Sequence, residues 1–449
     1  QEFENINNVI NRLATAIEES KELAIKKGVF RKEKQREYVS KVKNFKYRVG
    51  GPMRYESLNS AKIVSKWKVE YDRLNEISLI KERFDETCKI IHESTTFDEK
   101  SLLNLLDIFV WKIAKSVLNP DSESKEELIP SLIKEITKQP LHWKYQVWLN
   151  GIWVQGKLVQ MKDGLTFRRP TVTDLKELQK YLRWETRSSS GTCILEFSAD
   201  EDKKSQVENR VHKIIQLIRL YGICCVYDKN TILQSDSINE EESVRIGSGN
   251  PYYENYFLVI SQRNSHSLEQ FLNFMNNLLP EEAYVPNSKE SNHLVIAIRR
   301  FNDALLKNEQ LQIKIALSVM CLEALYGDNK SELSFRFKNR ISKAMGILGC
   351  DAKKVYEILD KAYEIRSDYV HGDKFESRDV ESVDLRSILD YARISILLFL
   401  QLNNLGHDKK KFLAILDDAL YDKEQDIELR KLLKKCKFLK TSSKQFQKH

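Results

Sequence analysis

Apolar residues recur at three- and four-residue steps through most of the C-terminal third of the chain. Written out, the pattern predicts helices over about 291–307, 309–326, 332–348, 352–371 and 379–403, with two shorter amphipathic pieces behind them. Gly327, Gly349 and Gly372 each follow a periodic run, where a helix-ending glycine belongs. Short connections between long helices make antiparallel neighbours, so residues 291–449 are expected to form an all-α up-and-down bundle. The same steps occur near the N-terminus, in Ile10, Leu13 and Ile17 and again in Leu102, Leu105, Ile108 and Ile113. Residues 1–138 are therefore expected to be a helical region, interrupted at Gly50-Gly51-Pro52 and at Asn119-Pro120-Asp121-Ser122.

The pattern changes near His142. The run from His142 to Leu149 is rich in aromatic and β-branched residues, Asn150-Gly151 is a turn signal, and Ile152 to Val159 continues in kind. Asp163-Gly164 separates these from Leu165-Thr166-Phe167, and Cys193 to Phe197 reads as a further strand. A helix is expected over Gln206–Tyr221, with Val207, Val211, Ile214, Ile215 and Ile218 on one face, then a strand over Ile223–Tyr227 and a long polar loop over Asp228–Asn250. Within that loop Gly247-Ser248-Gly249 lacks the Gly-Lys-Ser/Thr ending of a phosphate loop and is expected to be a turn. The fold class is thus multidomain and mainly α: a helical region 1–138, a β-rich α+β module 139–290, and the bundle 291–449. A length of 449 residues suits two or three such domains.

Composition narrows the chemistry. The net charge of +8 permits a polyanionic partner without demanding one. The last nineteen residues, Lys431 to His449, hold seven lysines and no acid, which suits either nucleic-acid contact or a solvated tail. Seven cysteines without a Cys-x-x-Cys argue against a disulfide framework or zinc site and fit a reducing cytoplasm. Cys88 and His92 are four apart on an expected helix, a possible metal pair, but no further ligand lies near them and packing is the simpler reading. No metal or cofactor is expected. No apolar stretch approaches the roughly 20 residues that span a bilayer, and no signal peptide is visible. The tryptophans 143, 148 and 153 can stack on bases or sugars, or fill the core of a small sheet.

One cluster carries catalytic chemistry. Tyr363, Arg366, Ser367, Asp368, Tyr369 and His371 crowd the end of the helix whose buried stripe is Val355, Ile358, Leu359, Ala362 and Ile365. A guanidinium keeps its charge and its fork matches phosphate oxygens. Histidine titrates near neutrality and can take or give a proton. Together they suit RNA cleavage without metal, in which the 2′-hydroxyl attacks the adjacent phosphate and leaves a 2′,3′-cyclic phosphate. Five helical steps place Arg366 and His371 about 140° apart with a rise of about 7.5 Å. They converge only if the helix loosens near His371, with Gly372 behind it, or if a second chain supplies the complement.

Three segments extend this reading. Gln310 to Gly327 with Leu322-Glu323-Ala324-Leu325-Tyr326, Leu333 to Ile341, and Arg366 to Gly372 resemble the Apea-like branch of HEPN domains over about residues 290–420. Residues 206–230 resemble, more loosely, the segment that often precedes such domains. The family signature is Arg-x4–6-His, here with four residues, Ser367 to Val370, between Arg366 and His371. The resemblance implies a HEPN helical bundle, a homodimer with two Arg–His motifs meeting across the two-fold axis, and metal-independent endoribonuclease activity on RNA. It further implies a prokaryotic antiphage or abortive-infection effector, with upstream regions that sense infection through a phage-derived trigger or small ligand. Ser367 stands where many members carry Asn, Asp or His, and serine is usual in the Apea-like branch. Glu323 stands where that branch commonly has an acid, either as a buried partner of Arg366 or in a purely structural role. The alternative is a non-catalytic HEPN dimerisation and RNA-binding scaffold.

Overall fold

The computed structural model describes residues 2–46, 54–70, 73, 76–119, 123–181, 192–201, 204–239, 242–246, 256–285, 288, 292–307, 309–328, 333–371, 380 and 382–440. The expected break at Gly50-Gly51-Pro52, most of the loop at 119–122, the turn at 247–249, Gly372 and the last nine residues of the basic tail lie outside them.

In chain order the elements begin with helices α1 (Glu2–Glu19) and α2 (Lys21–Lys26), strands β1 (Phe30–Lys46) and β2 (Arg54–Val69), and helices α3 (Ser78–Ser94), α4 (Glu99–Leu118) and α5 (Lys125–Ile136). Strands β3 (Leu141–Asn150), β4 (Ile152–Val154), β5 (Leu158–Gln160) and β6 (Thr166–Arg168) follow, then α6 (Val172–Tyr181), β7 (Cys193–Glu201) and α7 (Lys204–Tyr221). Next come β8 (Tyr227–Ser235), β9 (Glu242–Ile246), β10 (Leu258–Ile260), α8 (Gln262–Met275) and a 3-10 turn at Glu281–Ala283. The chain continues as α9 (His293–Leu306), α10 (Leu311–Tyr326), α11 (Leu333–Ile347), α12 (Ala352–His371), α13 (Leu385–Asn404), α14 (Lys409–Asp418) and α15 (Lys423–Lys435). The protein is mainly helical with an antiparallel sheet in its middle.

These elements form two compact units that interleave along the chain. The first takes residues 1–148, 170–207 and 230–246; the second takes 149–169, 208–229 and 247–449. The middle of the sequence therefore contributes to both.

In the first unit, Ile10, Leu13 and Ile17 of α1, Leu102, Leu106, Phe109 and Ile113 of α4, and Leu128, Leu132 and Ile136 of α5 close one hydrophobic core. The three- and four-residue steps of the sequence are the buried stripes of these helices. Asp98 starts α4 by accepting from the backbone N–H of Ser101 at 3.0 Å. Cys88 packs on this core while His92, four residues on, is exposed, and no cluster of three metal-ligating side chains occurs among the described residues.

Two expectations fail here. Residues 30–46 and 54–69 are not helical: β1 and β2 make a long antiparallel hairpin, in register from Phe30 opposite Val69 to Lys46 opposite Arg54, with a bulge between Val42 and Asn44. The reason is visible in β2, where Ala61, Ile63, Trp67 and Val69 alternate with Lys62, Lys66 and Lys68, a period of two and not 3.6. Nor is 228–250 a long loop, and the expected strand at Ile223–Tyr227 begins only at Tyr227. β8 and β9 pair antiparallel from Asn230 opposite Ile246 to Gln234 opposite Glu242. Asn230 and Thr231 are buried beside Ile232 and Leu233, so polar residues occupy positions that hydropathy alone assigns to solvent. Just beyond β8, Glu135 accepts from Ser237 Oγ at 2.6 Å and from the Ile238 backbone N–H at 2.5 Å, seating Ile238 in the helical core.

Strands run in the order β7-β3-β8-β9 through this part of the sheet. Tyr145 and Phe197 stack at 4.4 Å between ring centroids. Trp143, Trp148 and Trp153 are all buried, so the tryptophans fill cores and offer no open platform for bases.

In the second unit, β5 pairs antiparallel with β6, and β4 lies parallel to β10. The helices from α9 onward match the sequence expectation to within a few residues, except that α13 begins at Leu385 and not near 379. α10 is the central helix, packed against α9, α12 and α13, and α11 packs against α12 and α14. Two buried arginines brace this arrangement. Arg340 of α11 donates to both carboxylate oxygens of Asp417 at 2.7 and 2.6 Å, to Asp328 at 2.9 Å and to the Tyr326 carbonyl at 2.7 Å. Arg393 of α13 donates to Asp390 at 2.9 Å, to the Leu220 carbonyl at 3.1 Å and to the Lys440 carbonyl at 2.6 Å.

Gly151 and Gly164 test the local backbone account. Both have left-handed backbones, at φ +79° and +87°. A Cβ on Gly151 would lie 2.3 Å from the Cys225 carbonyl oxygen, whereas one on Gly164 meets nothing within 4 Å. Gly164→Ala should therefore cost only the left-handed penalty of about 1–2 kcal/mol. Gly151→Ala should cost at least about twice as much, because buried backbone must also move. Urea denaturation of the two variants compares them directly.

Candidate active site on helix α12

Helix α12 begins where Asp351 accepts from the backbone N–H groups of Lys353 and Lys354, at 3.0 and 3.2 Å. Val355, Leu359, Ala362 and Ile365 form its buried stripe against α10 and α11. Arg366 follows directly and is half-buried. Its Nη2 donates to Glu323 Oε2 of α10 at 2.9 Å, and each side chain is 24% exposed. The guanidinium carbon lies 5.9 Å from the centre of the Tyr363 ring. Its Nε is buried without an acceptor among the described residues. Burial raises the Glu323 carboxyl above the ordinary carboxylate range, and the attraction of Arg366 only partly opposes this.

Of the two roles open to Glu323 in the sequence, the structure gives it the first: it is the ion-pair partner of Arg366. Asp368 does not take that position. Ser367 and Asp368 are half-buried, and Tyr369, Val370 and His371 are exposed. The helix does not loosen before His371, which is its last residue. An unbroken helix keeps the two candidate residues about 140° and about 7.5 Å apart. Arg366 turns toward α10 and His371 toward solvent, so within one chain the structure does not bring them to a common point.

Exposed apolar surface surrounds the end of α12. Tyr369 and Val370 are 41% and 47% exposed, and Phe335 on the adjacent α11 is 54% exposed. Val370 and Phe335 had no special standing in the sequence. Their only signal is that neither belongs to the buried stripe of its helix.

No family model matches this chain, nor does any curated protein or solved structure.

Removing Glu323 should leave a largely buried guanidinium unpaired. Glu323→Ala is expected to lose about 2 kcal/mol in urea denaturation, and Arg366→Ala a similar amount. The double variant should lose less than the sum, because neither partner then remains to be desolvated alone. His371→Ala, at an exposed helix end, should stay within about 0.5 kcal/mol of wild type. The raised Glu323 pKa adds a pH signature. Between its ordinary value near 4.5 and its value in the fold, the native state binds more protons than the unfolded chain. Stability relative to Glu323→Gln should therefore fall as pH rises through that window.

Proposed function

We propose that this chain is a metal-independent endoribonuclease of the HEPN type, working as a homodimer, with Arg366 and His371 as its catalytic pair. One observation carries the reading. A single unbroken helix holds an arginine fixed by a half-buried carboxylate and, one and a half turns on, presents an exposed histidine beside uncovered apolar residues. The arrangement is incomplete in one chain and is completed by a second copy related by a two-fold axis. Tyr369 and Val370 give that copy apolar surface to cover.

The chemistry follows from the groups. Arg366, held by Glu323 through one Nη, retains other donors for a phosphate oxygen and stabilises charge that builds on phosphorus. His371 takes the 2′-hydroxyl proton or returns one to the departing 5′-oxygen. The 2′-oxygen bonds to phosphorus as the P–O5′ bond breaks, giving a 2′,3′-cyclic phosphate and a 5′-hydroxyl. Together with the resemblance of residues 290–420, this supports a role as a prokaryotic antiphage effector acting in the cytoplasm, with a phage-derived trigger or small ligand recognised in the central part of the chain.

A second reading draws on the same ion pair. Arg366 commits one nitrogen to Glu323, as it would in a non-catalytic bundle used for dimerisation and RNA binding. Activity separates the two. In EDTA, wild type should cleave RNA and leave 2′,3′-cyclic ends. His371→Ala and Arg366→Ala should each slow cleavage by about 10²–10³-fold. Undiminished cleavage in both variants removes these residues from the mechanism. Wild type that binds RNA without cutting it, under conditions that activate the protein, favours the scaffold. Sedimentation at micromolar concentration should show a dimer, and a strict monomer excludes a shared site.

A further inference from the structure

A cavity of about 340 Å³ lies within the second unit, lined by the C-terminal half of α7, the segment at 282–285 and α9. That is the lower end of the range for small-molecule sites, enough for one nucleotide-sized ligand and too small for a polymer. Two helices furnish it alike. α7 contributes Gln216 and Arg219, and α9 contributes Arg299 and Asn302, each pair three residues apart and so on one helix face.

The two amides meet across the cavity wall. Asn302 Nδ2 donates to Gln216 Oε1 at 2.7 Å. This leaves Gln216 Nε2 and Asn302 Oδ1 buried with no partner among the described residues, and Gln216 is only 2% exposed. Turning both amides over preserves the situation, because one donor and one acceptor still remain side by side. Unpaired buried polar atoms are costly, and a ligand edge with its own adjacent acceptor and donor satisfies both. The edge of a nucleobase has that form.

The charges favour a small anion beside it. Arg219 is half-buried and its Nε donates to the Val226 carbonyl at 2.7 Å, which leaves both Nη nitrogens for a ligand. Burial lowers its pKa to about 10, so it remains charged at neutral pH. Its fork matches phosphate oxygens. Asp228 and Glu282 also line the cavity and limit the negative charge it accepts, which favours one phosphate over three. Arg299 donates to Ser288 Oγ at 2.7 Å and to the Ser288 carbonyl, fixing the segment that carries Tyr284. Tyr284 adds an aromatic wall.

We infer that this cavity binds a nucleoside monophosphate, its base edge paired with Gln216 and Asn302 and its phosphate held by Arg219. The site involves no residue of α12 and does not depend on the nuclease reading. The full chain can be titrated calorimetrically with the four ribonucleoside 5′-monophosphates, their nucleosides and inorganic phosphate. At least one monophosphate should bind saturably, with one site per chain, and its nucleoside should bind about tenfold or more weakly. Hydrogen exchange on wild type should show that ligand protecting residues 212–219 and 299–302, which locates the site without any substitution. Gln216→Glu and Asn302→Asp, with unchanged melting profiles, should weaken binding about tenfold or more. The inference is overturned if no monophosphate binds at millimolar concentration, if phosphate alone binds as tightly, if protection falls elsewhere, or if both folded variants bind as wild type does.

Discussion

Burying a guanidinium obliges a fold to build acceptors around it, because arginine does not shed its proton. The second unit meets that demand repeatedly, and its helix positions follow. Arg340 fixes α11 to Asp328 just past the end of α10 and to Asp417 on α14. Arg393 fixes α13 to the end of α7 and to the residues after α15. Apolar contacts between these helices tolerate small slides, whereas carboxylates and carbonyls around a buried charge do not. Such clusters add little net stability compared with hydrophobic replacements, and their effect here is to define one register for helices that oil-like packing leaves nearly equivalent.

Arg366 stands apart within this set. Arg340 is enclosed by two carboxylates and a carbonyl, and its side chain is fully buried. Arg366 has one carboxylate, an aromatic neighbour and a buried Nε without an acceptor among the described residues. A structural arginine is saturated by its own protein, whereas the role proposed for Arg366 calls for donors in reserve. Glu323 accordingly orients Arg366 without exhausting it. The cavity lined by α7 and α9 repeats the theme, with Arg219 held at Nε alone.

The C-terminal helices were legible because their apolar residues obey one period over long runs, and tertiary packing then uses the faces that the period marks. The strand from His142 and the bend at Gly151 were legible for related reasons: dense β-branched and aromatic residues in one, a required left-handed backbone in the other. Segments with few apolar residues escaped. The hairpin strands at 30–46 and 54–69 are rich in charged residues, and β8 buries polar Asn230 and Thr231. The interleaving of the two units depends on long-range pairing that no local pattern encodes. At the candidate site, Arg366 and His371 stood out in the sequence, and the structure places both on α12. Glu323 pairs with Arg366, and α12 is continuous to His371, its last residue.

The hairpin of β1 and β2 has a further consequence. Strands of 17 and 16 residues extend about 55 Å at the usual rise. It is a sheet of only two strands, so no third strand covers either outer edge among the described residues. Open edges of that length invite neighbouring molecules to zip on and seed insoluble aggregates. The sequences of both strands are rich in lysine, at 32, 34, 41, 43 and 46 and at 62, 66 and 68. Like charges on edge strands discourage such pairing between copies. The basic balance of the sequence is in part the cost of carrying that ribbon.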